Sequence, residues 1–448
     1  MKKTISLFLL TSMLFTGIMF ITGCGSGRSE VTEAVDLSND LTTSGRGKDQ
    51  PATDYSTKQA AAQMIKNVFR RYGMESGSGS TAVINLREYY NSNQSGYLWS
   101  NFCGVGMQYY VCKLYPDDEE QKTVFLKMIN NLKYFRQSYK DSEGNEIYVK
   151  YHSGRGSAPD KGQGDCYFDD NIWVARNFLR AFEIFGDESY IEEAKKINTW
   201  VLKGWNDDIG GIVWSELGLN DNANEQHLER GLSANACGII VNAMLSDLAQ
   251  TEEEKAFHME WALKFYNFCK KMQNTPATFD YWNGIHTIIV DGVRKDGSVN
   301  KVHYSYNSGS MILADLLLYE LTDDEEAKAE YLRDARGTSA AANRTFYQID
   351  PKNGKRYIQG DPWFAAILCE AYYELYKYDP ENAGKYLSNF SKNVQNAFEN
   401  RDTKTGLCPY HATQKNTWEH NEAYVIHQVG VAQQAVIVAL YEKTNSKS

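Results

Sequence analysis

The stretch Leu232-Ser-Ala-Asn-Ala-Cys-Gly-Ile-Ile-Val-Asn-Ala-Met-Leu245 decides the fold class, because small and apolar residues occupy almost every side of the helix that it predicts. A second stretch of this kind is Ala423-Tyr-Val-Ile-His-Gln-Val-Gly-Val-Ala432. Helices that are apolar all round are buried on most faces, and their Gly and Ala residues allow a close approach between backbones. Both stretches therefore predict helices in the interior of a large domain.

The segment that precedes the first of these stretches has a different pattern. Between residues 188 and 203, the apolar residues Ile191, Ala194 and Ile197 share one helical face, and charged residues such as Glu193 and Lys196 occupy the other. Such a helix has one side in water. Helical periodicity recurs along the chain and predicts twelve segments of alternating type, at about 58–72, 99–115, 118–140, 169–185, 188–203, 230–249, 252–273, 305–321, 324–347, 361–377, 381–400 and 422–442.

Six partly solvated helices that alternate with six buried ones predict an outer ring around an inner ring, the all-α (α/α)6 barrel. An α-solenoid is the alternative, but solenoids repeat at a fixed length and the spacing here is irregular. The long links lead mostly into the even-numbered helices, so they would meet at one end of the barrel. A pocket built by loops is expected at that end.

The N-terminal residues predict export and a lipid anchor. Lys2 and Lys3 precede an apolar run that ends in Ile21-Thr-Gly-Cys24, the pattern of a signal peptide, and this ending resembles the bacterial lipobox, in which the cysteine is acylated. We therefore expect a signal peptide at 1–23, a lipidated Cys24 with a flexible tether at 24–55, and one barrel domain at 56–448. The expected location is extracytoplasmic, anchored by lipid to a bacterial membrane at the cell surface or in the periplasm.

Composition narrows the class of partner. The net charge of -10 and the lack of a Lys/Arg cluster argue against nucleic acid. The aromatic content of 13%, with 30 Tyr and 9 Trp, would supply flat faces for a neutral sugar, or would simply fill the core.

Beyond Cys24, the chain has seven cysteines without a C-x-x-C pair. They predict mainly buried free thiols, and one or two disulfides are the alternative. His286, His303, His420 and His427 lack ligand spacing, so neither a metal nor a cofactor is expected.

Four Asp-Asp pairs differ in their surroundings. Asp117-Asp118 and Asp323-Asp324 run into Glu-Glu at the starts of predicted outer helices, as solvated caps do. Asp169-Asp170 instead lies between aromatic and apolar residues in the first turn of a predicted inner helix, at the end with the long loops. Two carboxylates are costly to desolvate there, which favours a catalytic role. The alternative is that one caps the helix while the other pairs with a basic side chain.

The spacing of Asp169 and Asp170 favours one kind of carboxylate chemistry. Adjacent residues place their side chains roughly 5 to 6 Å apart, close to the separation of about 5 to 5.5 Å in glycosidases that retain configuration. Two like charges this close also split their titration, so that one is held protonated and the pair titrates as a unit.

At this point the chain resembles a known family. The relevant stretches are Tyr167-Phe-Asp-Asp-Asn-Ile-Trp173, Gly204-Trp-Asn-Asp-Asp-Ile-Gly-Gly-Ile-Val-Trp214, Asn235-Ala236, Asp291-Gly-Val293 and Tyr304-Ser-Tyr-Asn-Ser-Gly309. In this order, between about 60 and 440, they are similar to glycoside hydrolase family 76, the endo-α-1,6-mannanases. The resemblance implies an (α/α)6 barrel and a retaining mechanism without a metal, in which Asp169 is the nucleophile and Asp170 the acid/base.

The resemblance also implies a set of residues along the cleft: Asp207, Asp208, Trp214, Tyr304, Tyr306 and Asn307. For Asp207 and Asp208 a turn is the alternative, because Asn206-Asp-Asp-Ile-Gly-Gly211 is rich in turn formers.

We therefore expect a monomeric enzyme that cleaves α-1,6-mannosidic bonds inside α-mannan, without a cofactor. One alternative is a transglycosylase, in which a sugar hydroxyl intercepts the glycosyl-enzyme. A second is a surface glycan-binding protein without catalysis, which would not need a desolvated carboxylate pair. A third, an unsaturated uronide hydrolase, would need basic groups that the long loops scarcely carry.

Overall fold

The computed structural model describes residues 56–90, 92–220, 223–273, 288–415 and 423–445. The predicted signal peptide, Cys24 and the tether lie outside the described residues, as do His286 and His420. None of the described helices is both long enough and apolar enough to cross a membrane.

Twelve α-helices make up most of the described chain, as predicted. Except at one end of α3, their limits lie within about three residues of the predicted ones. They are α1 (Thr57–Tyr72), α2 (Leu98–Leu114), α3 (Glu119–Leu132), α4 (Phe168–Phe185), α5 (Ser189–Val201), α6 (Leu232–Asp247), α7 (Glu252–Gln273), α8 (Ser305–Leu321), α9 (Glu325–Phe346), α10 (Pro362–Leu375), α11 (Pro380–Glu399) and α12 (Val425–Asn445).

The even-numbered helices form a closed inner ring. Each packs against the next in the order α2, α4, α6, α8, α10 and α12, and α12 packs against α2. An outer helix covers each of them: α3, α5, α7, α9 and α11 pack on the inner helix that precedes them in the chain, and α1 packs on α12. The (α/α)6 barrel is confirmed.

Glycines let the inner helices approach closely. A Cβ at Gly309 would lie 2.7 Å from the carbonyl oxygen of Ile367, and one at Gly430 would lie 2.3 Å from the amide nitrogen of Trp363. The obstructing atoms belong to the α10 backbone, which cannot rotate away as a side chain can. The two sides of α10 are thus packed directly against α8 and α12.

The outer helices confirm the pattern of one solvated side. In α5, Ile191, Ala194 and Ile197 are buried, whereas Glu192 on the other face is exposed. The Asp118 side chain accepts hydrogen bonds from the amides of Glu120 and Gln121 and so caps α3. Asp324 caps α9 in the same way, which confirms both residues as caps.

Every link from an odd to an even helix lies at one end of the barrel, and the short antiparallel strands all belong to these links. The strands are β1 (Gly73–Ser76), β2 (Val83–Leu86), β3 (Arg136–Lys140), β4 (Glu146–Tyr151), β5 (Arg230–Gly231), β6 (Gly292–Val293), β7 (Val299–Asn300), β8 (Tyr347–Ile349) and β9 (Arg356–Ile358).

The prediction that the third helix runs to residue 140 is wrong. It ends at Leu132, and β3 pairs with β4 in a hairpin. The intervening turn is held by Asp141, whose carboxylate accepts from the amides of Glu143 and Asn145, and Gly144 supplies a φ of 91°. Turn formers between two strand-forming runs override the helical periodicity.

The seven cysteines of the barrel are buried and free. This confirms the prediction of thiols inside the core, and no disulfide links the seven.

Gly430→Ala should lower the free energy of unfolding, by about 1 to 3 kcal/mol for an overpacked core, because the new Cβ meets backbone. Gly384→Ala in α11 is the matched control. There the nearest atoms belong to the side chains of Tyr441 and Tyr376, at 3.2 and 3.5 Å, and Ala gains helix propensity of up to about 1 kcal/mol. Urea unfolding measures the free energy of unfolding of both variants. An equal change in the two would refute the close packing of α10 and α12.

Candidate active site

The end of the barrel with the long links contains a cavity of about 650 Å³. The first turn of every inner helix, or the residue just before it, contributes to its wall. Its lining residues are Tyr97, Trp99, Phe102, Ser153, Tyr167, Asp169, Asp170, Trp173, Trp214, Gln226, Glu229, Gly231, Ser233, Asp291, Tyr304, Tyr306, Trp363, Phe364 and Tyr424.

Asp169 and Asp170 lie in the first turn of α4, and the buried Asn171 fixes that turn in place. The Asn171 side-chain oxygen accepts from the Tyr151 amide at 2.7 Å, and its amide group donates to the carbonyl of Tyr151 at 2.8 Å and to that of Tyr167 at 2.7 Å. The start of α4 is thereby attached to strand β4, and the two carboxyls are held at the cavity wall.

The loop before α6 brings Trp214 to Asp169. The Phe168 amide donates to the Trp214 carbonyl at 2.9 Å, and Asn235 of α6 accepts from the Ile212 amide at 2.9 Å. Held in this way, the indole Nε1 of Trp214 donates to Oδ2 of Asp169 at 3.0 Å.

Asp169 and Asp170 have unequal surroundings. Oδ1 of Asp169 accepts from the Asp170 amide at 2.8 Å, and Oδ2 accepts from Trp214, so both oxygens have donors. Within the described chain, no hydrogen bond reaches the Asp170 carboxyl.

The pKa values follow from these surroundings. Burial raises the pKa of Asp169, while its two donors and the helix N-terminus act against the rise. Burial raises the pKa of Asp170 well above its usual range, and the neighbouring Asp169 charge raises it further. Asp169 is thus the group of the pair that ionises, and Asp170 is the one that keeps its proton.

A second pair of carboxyls, Glu229 and Asp291, lines another part of the cavity. The Asn300 amide donates to Glu229 at 2.7 Å and to Oδ2 of Asp291 at 3.2 Å, and Asn307 donates to Oδ1 of Asp291 at 3.0 Å. Burial raises the pKa of Asp291 to about 6. These groups offer hydrogen-bond acceptors at fixed positions.

The wall is aromatic and lacks cations. Eleven of its nineteen residues are aromatic, and no Lys or Arg of the described chain is among them. The rings of Tyr306 and Phe364 lie 4.2 Å apart, and those of Trp99 and Phe364 are stacked at 6.3 Å. Such a wall suits a neutral ligand with apolar faces and hydroxyl groups.

The structure brings some of the predicted cleft residues together. Trp214, Tyr304 and Tyr306 line the cavity with Asp169 and Asp170. Asn307 is fully buried behind the wall and reaches the cavity through its hydrogen bond to Asp291.

Asp207 and Asp208 do not reach the cavity. The Asp207 side chain is 88% exposed and lies 3.4 Å from Lys264, and it accepts from the Trp205 indole at 2.8 Å. Two backbone hydrogen bonds of 3.0 Å, Asn206 to Gly211 and Gly210 to Asn206, close a turn there, so the geometry matches the alternative of a turn.

Several residues of the cavity wall were not predicted, although the sequence contains a signal for them. Tyr97, Trp99, Ser233, Trp363 and Tyr424 all lie at the start of an even-numbered helix. Since those starts were predicted to share one end, each of their aromatic and polar residues was a candidate. Glu229 and Gln226 lie in a loop without periodicity, and nothing local marked them.

The described residues contain no group of three or more His, Cys, Asp or Glu side chains arranged to hold a metal ion. His303 instead contacts the Ile289 carbonyl at 3.1 Å through Nδ1, and Nε2 of His427 lies 3.0 Å from Asp361.

Comparison with known proteins agrees with the fold. The solved structure of the family 76 mannosidase Bt3792 from Bacteroides thetaiotaomicron superposes with a TM-score of 0.68 at 20% identity, over 87% of this chain and 99% of that one. An inactive double-aspartate variant of the α-1,6-mannanase GH76A of Salegentibacter sp. HEL1_6, in complex with α-1,6-mannotetrose, superposes with a TM-score of 0.64 at 18% identity, over 86% and 99%.

A curated relative, the meiotically up-regulated gene 191 protein of Schizosaccharomyces pombe, is 25% identical over 228 residues. That match spans 47% of this chain and about half of the relative, 48% of its length. The profile of glycosyl hydrolase family 76 matches residues 76–446. This protein is therefore a member of glycosyl hydrolase family 76.

Proposed function

We propose that this family 76 member cleaves α-1,6-mannosidic bonds inside α-mannan with retention of configuration. In this proposal Asp169 is the nucleophile and Asp170 the general acid/base. The main observation in its support is that two adjacent carboxyls in an aromatic cavity have unequal hydrogen bonding. Two donors stabilise the Asp169 carboxylate, whereas Asp170 has none and keeps its proton.

Each carboxyl then suits one task in a two-step displacement. Asp170 donates its proton to the glycosidic oxygen while Asp169 attacks the anomeric carbon, which forms a glycosyl-enzyme and releases the leaving sugar. Asp170, now ionised, takes a proton from water as the water attacks the same carbon and releases Asp169. The proposal rests on the match between these roles and the order in which the two groups ionise.

The character of the cavity supports a neutral glycan as the substrate. Four carboxyls and no Lys or Arg of the described chain line it, so a uronic acid would find repulsion and no partner for its charge. The α-1,6-mannotetrose complex of the Salegentibacter enzyme supports the linkage. A wall drawn from all six inner helices and open at one end suits several consecutive sugars, hence attack within a chain.

We further propose that the protein acts outside the cytoplasm as a monomer, anchored by an acylated Cys24. The lipobox-like sequence supports the anchor. In α1, Thr57 contacts Glu442 near the far end of α12 at 3.0 Å, whereas Tyr424 beside the other end of α12 lines the cavity. The tether would therefore join the barrel at the end opposite the cleft, which leaves the cleft facing away from the membrane.

Substitution of the two carboxyls tests their roles. Asp169→Ala should abolish activity on every substrate, with azide restoring only a product of inverted configuration. Asp170→Ala should lose about 10²- to 10⁴-fold on mannan, but should still form the glycosyl-enzyme from a dinitrophenyl mannoside, whose leaving group needs no proton. Asp207→Ala, at an exposed aspartate outside the cavity, is the matched control and should stay within about twofold. Near-native turnover in both cavity variants would refute the roles proposed for the two carboxyls.

Trp214→Phe removes one donor from the Asp169 carboxylate and should raise its pKa. A hydrogen bond to a charged group contributes at least about 1.5 kcal/mol, or about one pKa unit. Because the ionised form attacks, the acidic limb of kcat/KM should move to higher pH by about one unit. Trp99→Phe, which removes an indole that makes no hydrogen bond to Asp169, should leave that limb in place, and an unmoved limb in Trp214→Phe would refute the role of this donor.

Digestion of unbranched α-1,6-mannan should give a mixture of short oligosaccharides from the earliest time points, as resolved by chromatography. Mannose alone at the outset would refute internal cleavage. Products longer than a defined oligosaccharide substrate would identify a transglycosylase instead.

A further inference from the structure

Two tyrosines of the link between α1 and α2 are exposed at the mouth of the catalytic cavity. Tyr97 lines the cavity and is 50% exposed, and Tyr89 is 40% exposed. Single exposed rings are ordinary on a protein surface. Two of them at the edge of one aromatic cavity form a feature that the proposed mechanism does not use. We call Tyr89 and Tyr97 the tyrosine rim.

A row of aromatic rings connects this rim with the cavity wall. The Tyr89 ring is stacked on that of Tyr424, with 5.3 Å between the ring centroids and 27° between the planes. Tyr424 meets Trp99 edge to face at 6.5 Å, and Trp99 is stacked on Phe364 at 6.3 Å. Tyr424, Trp99 and Phe364 all line the cavity. Tyr89 therefore continues the aromatic wall outward to solvent.

A buried glutamate holds the rim in place. The Glu88 carboxylate accepts from the Tyr97 amide at 2.9 Å and from the Ser100 hydroxyl at 2.8 Å, and Glu88 is only 1% exposed. Its backbone carbonyl accepts from the Val425 amide at 3.0 Å, next to an antiparallel bridge between Tyr89 and Tyr424. The rim is thus attached to the starts of both α2 and α12. Rings on a fixed backbone lose little freedom when a ligand binds.

The tyrosine rim and the acceptor pair of Glu229 and Asp291 lie on opposite sides of the catalytic carboxyls. Helix α4, which carries Asp169 and Asp170, packs between α2 and α6 in the inner ring. Tyr97 directly precedes α2, whereas Glu229 and Asp291 belong to the links that lead into α6 and α8. A glycan chain that runs from the acceptor pair across the catalytic carboxyls is therefore directed toward the rim.

We propose that Tyr89 and Tyr97 form an outer subsite, which binds one further mannose unit of the same α-mannan chain beyond the units inside the cavity. This inference rests on the function proposed above. One face of a pyranose ring is made of C–H groups, which would pack on the tyrosine rings and leave water. The sugar hydroxyls would stay hydrated at the open edge. The subsite would make the enzyme favour long chains over short substrates.

Kinetics on a long and a short substrate test the outer subsite. The long substrate is unbranched α-1,6-mannan, and the short one is a dinitrophenyl mannoside. The ratio of their kcat/KM values should fall about three- to tenfold in Tyr89→Ala and in Tyr97→Ala, which is the size of one ring contact. Tyr89→Phe keeps the ring and should keep the ratio within about twofold. Phe257→Ala, at an exposed ring of the outer helix α7, is the matched control and should behave like the unaltered protein.

Calorimetric titration of the Asp169→Ala variant with α-1,6-mannohexaose measures binding without turnover. Adding Tyr89→Ala should weaken this binding about three- to tenfold.

Three results would overturn the subsite. If the unaltered protein cleaves mannan but both alanine variants keep its ratio, the rim does not bind the chain, and the proposed function stands. If Tyr89→Phe loses as much as Tyr89→Ala, the hydroxyl and not the ring face makes the contact. If the unaltered protein leaves mannan intact, the proposed function fails and the subsite fails with it.

Discussion

The inner helices α8 and α12 lie almost in contact with the backbone of α10, and the closure of the ring of six inner helices depends on this closeness. At Gly309 and Gly430 the α10 backbone occupies the space that a Cβ would need. Larger residues there would push α8 and α12 away from α10 and open the ring. An outer helix leads the chain from the end of one inner helix back to the start of the next. All inner helices therefore run in the same direction, and their N-terminal ends lie together.

That shared direction affects the pKa values of the carboxyls in the cleft. A helix N-terminus favours a nearby carboxylate by up to about 2 kcal/mol, or about 1.5 pKa units. Burial outweighs this contribution at Asp169 and Asp170, because both pKa values remain raised. The donors at Asp169 then decide which of the two ionises. In the proposed mechanism, a difference of two hydrogen bonds gives two identical side chains, adjacent in sequence, their opposite tasks.

Much of the fold followed from hydrophobic patterning. The alternation of helices with one solvated side, such as α5, and helices apolar all round, such as α6, predicts two rings without any structural information. The error at α3 arose where a hairpin turn at Asp141 and Gly144 ends a run that still carries helical periodicity. The site was predicted at the helix starts, where Asp169, Asp170, Tyr304 and Tyr306 line the cavity, and at Trp214, which the family motif identified in the loop before α6.

Asp207 and Asp208 show that a sequence motif does not determine where its side chains point. Their motif matches the family, yet a tight turn with two glycines of positive φ, Gly210 and Gly211, directs Asp207 to solvent. The acceptors Glu229 and Asp291 come together only through the pairing of β5 with β6 and β6 with β7 and the amide of Asn300. The pairing of β5 with β6 and the hydrogen bond from Asn300 to Glu229 join residues about 60 to 70 positions apart, and a local pattern cannot specify them.

The central claim is that Asp169 forms a covalent intermediate while Asp170 handles the proton. Proton NMR of the first-formed reducing ends, recorded during hydrolysis of an α-1,6-mannan before mutarotation, tests it most directly. Two displacements at the same carbon predict products that appear first as the α-anomer. First appearance of the β-anomer would mean a single displacement by water, and would contradict the roles assigned to the two carboxyls.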